Sequence, residues 1–226
     1  LVVITAKEQN EYFKILFKAI DEVLPDLKNK KYHIGYGFVQ LKTGKMSSRL
    51  GKVITFEMLL KEVSDSLSVK VESNKDRKII AISAMKYAML KTSASADMAF
   101  DIKSSVVISG QSGPYLLYTY VRFKKIIEKG GDFNGYVVSA LINKEKDIMS
   151  RLSYFEEVVV QAGENFDPSK ISHYLFDLCQ DLNEYYHNTS ILGSDNEKMR
   201  LALMASAMNV LSQGLRLLGI EKVDSM

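Results

Sequence analysis

Cysteine is almost absent from this sequence: Cys179 is the only one in 226 residues. One thiol excludes an internal disulfide and a cysteine-rich zinc site, and the apolar residues at helical spacing around it favour a buried thiol over a nucleophile. A reducing, cytoplasmic setting fits that usage. Long apolar runs are also lacking. No stretch approaches the ~18–20 residues that cross a bilayer, and no signal peptide is recognisable. His33, His173 and His187 are too dispersed to suggest a metal site, and no His/Asp/Glu cluster has ligand spacing, so no bound metal is expected. No nucleophile–base motif such as G-x-S-x-G occurs. What remains is binding, or a reaction promoted by positioning and charge stabilisation.

With 46% hydrophobic and 25% charged residues the chain has the composition of a globular protein. Its length is comfortable for two domains. A net charge of +3 is mildly basic, so any nucleic-acid surface must come from local clustering. Leu1 to Thr5 reads as a buried strand without an initiator methionine, which makes us expect a sequence that starts inside a domain.

Residues 1–6 form a continuous β-branched run, as in a parallel sheet. From Glu8 to Ile20 the residues Tyr12, Phe13, Leu16, Phe17 and Ile20 recur at helical spacing, up to Pro25. Residues 31–41 return to extended character, giving a βαβ pattern whose ligands would lie beyond the strands' carboxyl ends. Helical patterns follow over Ile54–Leu67 and Lys78–Leu90, the second with a stripe of Ala81, Ala84, Met85 and Ala88 that reads as a seam between domains. Gly113 and Pro114 open a helix that Gly130 and Gly131 end. A single helix is predicted over Asn143–Ala162. Asp167 as cap with Pro168 in the first turn predicts another, reaching His187. Ser194 and Glu197 resemble a capping box before Met199–Ile220, whose Leu201, Met204, Met208, Leu211, Leu215 and Leu218 make a core-facing stripe.

Just after the second extended segment comes Gly44 Lys45 Met46 Ser47 Ser48 Arg49. Small residues let backbone approach a polyanion, while Lys45 and Arg49 supply charge and Ser47 and Ser48 supply hydroxyls. The region from Lys28 to Lys52 holds seven basic residues and no acidic one. Alone, such a string is more often a solvated surface turn.

The order of segments is similar to the carboxyl-terminal part of a class I aminoacyl-tRNA synthetase, specifically an arginyl-tRNA synthetase. KMSSR followed by LGKVITF resembles the family's KMSKS loop, with Ser48 where the second lysine would stand. AISAMKYAMLKTSASADMAFD, GQSGPYLLYTYVR and RLALMASAMNVLSQGLRLLGIEKVDSM resemble its later motifs, the last being the terminal helix of a DALR anticodon-binding domain. The resemblance implies an α/β plus all-α fold: the end of a Rossmann-type catalytic domain over 1–72, then an α-helical bundle over 73–226, with the boundary between 70 and 110.

By the same resemblance, arginine would attack ATP, accompanied by Mg²⁺, to give arginyl-adenylate and pyrophosphate, and the arginyl group would pass to tRNA(Arg). Lys45, Ser47, Ser48 and Arg49 are the implied catalytic residues, with Lys45 and Met46 on ATP and Gln9 in the arginine pocket. Tyr115, Tyr118, Arg122, Tyr186 and Met226 are the implied anticodon contacts. The expected partners are tRNA(Arg), ATP and L-arginine, with neither membrane nor DNA, and a monomeric state. No HIGH-type motif occurs; His33 in HIGY lies on the wrong strand, so residues 1–226 alone are expected not to aminoacylate. A stand-alone tRNA-binding module without catalysis is the alternative, and a helical protein–protein scaffold a third reading.

Overall fold

The computed structural model describes residues 1–42, 55–67, 71, 73–138 and 140–226. The basic loop with Lys45, Met46, Ser47, Ser48 and Arg49 lies outside the described residues. Contacts divide the chain into two units, one of Leu1–Val53 with Thr92–Asp101, the other of Ile54–Lys91 with Ile102–Met226. The division is therefore not a single cut at 72/73.

In the first unit, β1 (Val2–Ala6) pairs in parallel with β2 (Tyr32–Tyr36), Val3 opposite His33 and Ile4 opposite Ile34. The connection between them is a 3-10 turn (Lys7–Gln9), α1 (Asn10–Val23) and a second 3-10 turn (Pro25–Leu27), as the βαβ pattern predicts. Burial of β1 differs from expectation: Ile4 is 63% exposed, because the strand run is covered by one helix in a two-stranded sheet. His33 has a structural role here, its Nε2 2.8 Å from Thr5 Oγ1 and its ring stacked on Phe13 at 4.4 Å.

The predicted extended segment 31–41 is interrupted at Gly37 and Phe38. Beyond the break, β3 (Val39–Leu41) pairs in parallel with β4 (Met98–Phe100). Gly37 is required by close approach of backbone: a Cβ there would lie 2.3 Å from the Ala96 carbonyl oxygen. Phe38 N–H donates to Asp97 Oδ1 at 2.7 Å, and Lys7 pairs with the same carboxylate at 2.7 Å. Two lysines of the basic block are neutralised, Lys31 by Asp21 and Lys42 by Asp101.

The second unit is helical: α2 (Phe56–Asp65), α3 (Asn74–Leu90), α4 (Ile102–Ser105), α5 (Gly113–Gly130), α6 (Asn143–Ser153), α7 (Phe155–Glu164), α8 (Ser169–Asn188) and α9 (Glu197–Leu217). Ser112 Oγ accepts from Tyr115 N–H at 3.1 Å and so caps α5, with Pro114 in the first turn and Gly131 at φ +74 past the end. The single helix predicted over Asn143–Ala162 is two, parted at Tyr154. Before α8, Asp167 Oδ1 accepts from Ser169 N–H at 3.1 Å, which places Pro168 in the cap position and the helix one residue later than predicted. Ser194 does not close a capping box. Its hydroxyl donates to Ile191 O, and Glu197 instead accepts from Gly193 N–H.

The apolar stripe of α9 is buried as its periodicity predicts, Leu201, Met204, Leu211 and Leu215 fully. It packs with α5, α6 and α8. The small-residue stripe of α3 is not a seam between units, since α3 lies within the helical unit and packs on α5. There Gly113 meets Ser83 so closely that a Cβ would stand 2.2 Å from the Ser83 carbonyl oxygen. Among the described residues no helix is long and apolar enough to cross a membrane, and no group of three or more metal-ligating side chains forms.

Candidate nucleic-acid interface

Helical spacing puts Tyr115, Tyr118, Thr119 and Arg122 along adjacent rows of α5, and Cys179, Asn183 and Tyr186 along the facing rows of α8. The two helices pack together, and these rows meet. The guanidinium of Arg122 lies 4.5 Å from the Tyr118 ring centroid and 5.4 Å from that of Tyr186. Its two terminal nitrogens donate to Tyr118 Oη at 2.5 Å and to Asn183 Oδ1 at 2.6 Å. Among the described residues no carboxylate forms an ion pair with it, so its charge is met by aromatic faces and a neutral amide.

Asn183 on α8 reaches three side chains of α5, Arg122, Tyr115 and Thr119. Its Nδ2 lies 3.1 Å from Tyr115 Oη, 2.9 Å from Thr119 Oγ1 and 2.8 Å from Cys179 O. Burial raises the hydroxyl pKa of Tyr115, against the Asn183 bond, which lowers it. Thr119 and Cys179 are fully buried and floor the cluster, whereas Tyr186 is 41% exposed at its rim, its ring edge-on to Phe123 at 6.0 Å. This leaves a cation, two phenol hydroxyls and an exposed aromatic ring together on one surface. Such a set suits flat, unpaired bases next to phosphate.

Four of the residues implied by the sequence resemblance, Tyr115, Tyr118, Arg122 and Tyr186, are thus brought together. Met226 is half-buried at the end of a tail fastened by buried Val223 and by Lys124, which pairs with Asp224 at 2.5 Å. No hydrogen bond, ion pair or ring contact among the described residues joins Met226 to the cluster. Gln9 is exposed in the turn after β1, in the other unit. Asn183 and Thr119 went unpredicted; the one available signal was an asparagine in mid-helix between the apolar positions Leu182 and Tyr185.

The neighbouring tyrosine points the other way. Tyr185 is 1% exposed and donates to Glu145 Oε1 at 2.8 Å. Arg200 Nε donates to the same oxygen at 3.0 Å, and Ile142 N–H to Oε2 at 3.0 Å, so this buried carboxylate is fully engaged in holding α6, α8 and α9 together.

Residues 116–226 match the family of the DALR anticodon binding domain. Arginine–tRNA ligase of Bacteroides fragilis is 33% identical, aligned with 100% of this chain and 41% of its own length. The enzyme of Flavobacterium psychrophilum is 31% identical, with 100% and 40% covered. Among solved structures, Thermus thermophilus arginyl-tRNA synthetase superposes with a TM-score of 0.89 at 26% identity, over 100% of this chain and 41% of that one. That of Plasmodium falciparum, at 22% identity and a TM-score of 0.82, shares the fold. The chain spans about two fifths of the length of these relatives, 41% in the first. Residues 116–226 are a DALR anticodon-binding domain, on a chain homologous along its whole length to the carboxyl-terminal part of arginyl-tRNA synthetases.

Proposed function

We propose that this chain serves the arginylation of tRNA(Arg), its helical unit gripping the anticodon loop and its α/β unit furnishing the end of the ATP- and arginine-binding domain. The observation that carries the reading is Arg122 held between Tyr118 and Tyr186 on the face of an anticodon-binding domain. Bases turned out of a loop can stack on the exposed aromatic ring while the guanidinium answers phosphate charge or a base edge. Met226, at the end of the fastened tail, is proposed to complete that surface. In the other unit Gln9 stands after the carboxyl end of β1, where parallel sheets bind ligands, and is proposed to contact arginine.

Lys45, Ser47, Ser48 and Arg49 are assigned on the resemblance of their motif alone. Displacement at the α-phosphate develops charge on the leaving pyrophosphate, which Lys45 and the two hydroxyls would stabilise, with Met46 beside the nucleotide. Mg²⁺ would accompany the ATP phosphates. We take the protein to act in the cytoplasm, as a monomer.

Two measurements test the proposal. The chain should bind an arginine tRNA transcript in preference to one of another identity, with affinity falling steeply as salt rises; equal binding of both transcripts overturns it. Residues 1–226 alone should support no arginine-dependent ATP–pyrophosphate exchange, because they correspond to only 41% of the length of the first relative.

A further inference from the structure

We infer that Asn183 is a positioning residue of the anticodon-binding surface, fixing the Arg122 guanidinium and turning the hydroxyls of Tyr115 and Tyr118 outward as hydrogen-bond donors. The inference rests on the reading of that surface given above.

The amide's orientation is dictated by its neighbours. Arg122 can only donate, so the Asn183 atom 2.6 Å from it must be the carbonyl oxygen. Cys179 O can only accept, so the atom 2.8 Å from it must be the amide nitrogen. The two constraints agree, and they exclude the flipped amide. Directionality then propagates. Facing an N–H, Tyr115 Oη accepts from Asn183, and its own hydrogen is left to point elsewhere. Thr119 donates to Tyr115 O at 2.9 Å and so also accepts from Asn183; with one amide hydrogen given to Cys179 O, the second is shared between Thr119 Oγ1 and Tyr115 Oη. Tyr118 Oη accepts from Arg122, which frees its hydrogen in the same way.

A ligand meeting this surface therefore meets two phenol donors and a guanidinium, with no acceptor among these groups apart from phenol lone pairs. The chemistry it selects is an acceptor-bearing edge, a base carbonyl or ring nitrogen, or a phosphate oxygen. A leucine at 183 would keep the volume and the α5–α8 packing but would hold neither the arginine nor the tyrosine.

The test uses the full 226-residue chain and a labelled anticodon stem–loop of an arginine tRNA. Without RNA, the side-chain ¹⁵N resonances of Arg122 should be sharp in the native protein and exchange-broadened in Asn183→Leu, a signature that mere packing would not alter. With RNA, Asn183→Leu should lower affinity about tenfold, as expected for losing a hydrogen bond to a charged group. In an Arg122→Met background the same substitution should change affinity less than about twofold, since residues acting through one another are not additive. If Arg122→Met and Tyr118→Ala leave affinity unchanged, the reading of the surface fails. If they weaken binding while Asn183→Leu does not, or if its effect is undiminished in the Arg122→Met background, the positioning role fails and the reading stands. A shift in urea midpoint with sharp Arg122 resonances and unchanged affinity also overturns it.

Discussion

The Arg122 guanidinium carbon stands 4.5 Å from the ring centroid of Tyr118, while a terminal nitrogen of the same side chain donates to that tyrosine's hydroxyl at 2.5 Å. Face and hydroxyl of one ring are thereby both engaged by one cation, and with Tyr186 on its other flank Arg122 has little freedom. A guanidinium ordered in advance of binding spares the entropy of ordering it in the complex.

Tyr118→Ala and Tyr186→Ala should each weaken RNA binding by about 1–3 kcal/mol, the usual worth of one base stacked on an aromatic ring. Folding should suffer less, since neither ring is fully buried. Fluorescence anisotropy with an anticodon stem–loop, alongside urea melts, separates the two effects. Unchanged affinity in both variants would remove these rings from the surface.

Glu145→Ala addresses stability rather than binding. Glu145 is fully buried, and its removal leaves Arg200, whose side chain is 13% exposed, without its ion-pair partner and with only Ser190 O among the described residues to donate to, and takes the acceptor from the Tyr185 hydroxyl and Ile142 N–H. Breaking a buried pair from one side costs about 3–5 kcal/mol. Urea unfolding should show a loss in that range; a loss below about 1 kcal/mol, the level of an exposed pair, would contradict it.

Two glycines should respond with opposite signs. Gly113→Ala drives a methyl against the Ser83 backbone of α3, an overpacking worth about 1–3 kcal/mol of destabilisation. At Gly163, near the end of α7, nothing lies within 4 Å of the added methyl, so Gly163→Ala should stabilise by about 0.4–1 kcal/mol through the unfolded chain. Thermal melts of the two variants suffice, and a matching sign in both would contradict the helix crossing described.

Alkaline pH should destabilise the fold. Burial raises the pKa of the Cys179 thiol well above its ordinary 9.0, and that of the Tyr174 hydroxyl from 10.0 to about 12; Tyr87 and Tyr185 are raised as well. Each group ionises first in the unfolded chain, so its contribution is complete below the ordinary value and is lost as pH rises above it. The urea midpoint should therefore fall from about pH 9 upward, less steeply in Cys179→Ala, and the native thiol should resist alkylation at neutral pH. A midpoint that rises with pH would contradict this burial.

Much of the helical unit was legible because periodicity reports burial: the α9 stripe Leu201 to Leu215 faces the core as its spacing predicts. Punctuation was less dependable. Ser194 and Glu197 have the spacing of a reciprocal cap, yet each finds a nearer local partner. The three-residue β4 was invisible, because Met98–Phe100 is too short to alternate and owes its strand conformation to pairing with Val39–Leu41, far away in sequence. At the proposed RNA surface, adjacent Tyr185 and Tyr186 are chemically identical. Only the rotation of α8 sends the first to Glu145 and the second to the rim. Asn183 showed in the sequence only as a polar residue in mid-helix, since its importance comes from Arg122 and Tyr115 on another helix.

Anticodon recognition requires that the helical unit hold unpaired bases. The most direct measurement compares the affinity of the 226-residue chain for an arginine tRNA anticodon stem–loop with that for the same RNA made abasic at its anticodon positions, at equal salt. Stem and phosphates are identical in the two, so only base contacts differ. Loss of stacking and base-edge contacts should make the abasic RNA bind at least about tenfold more weakly. Equal affinities would show that phosphate charge alone is recognised, and would contradict the anticodon surface built around Arg122, Tyr118 and Tyr186.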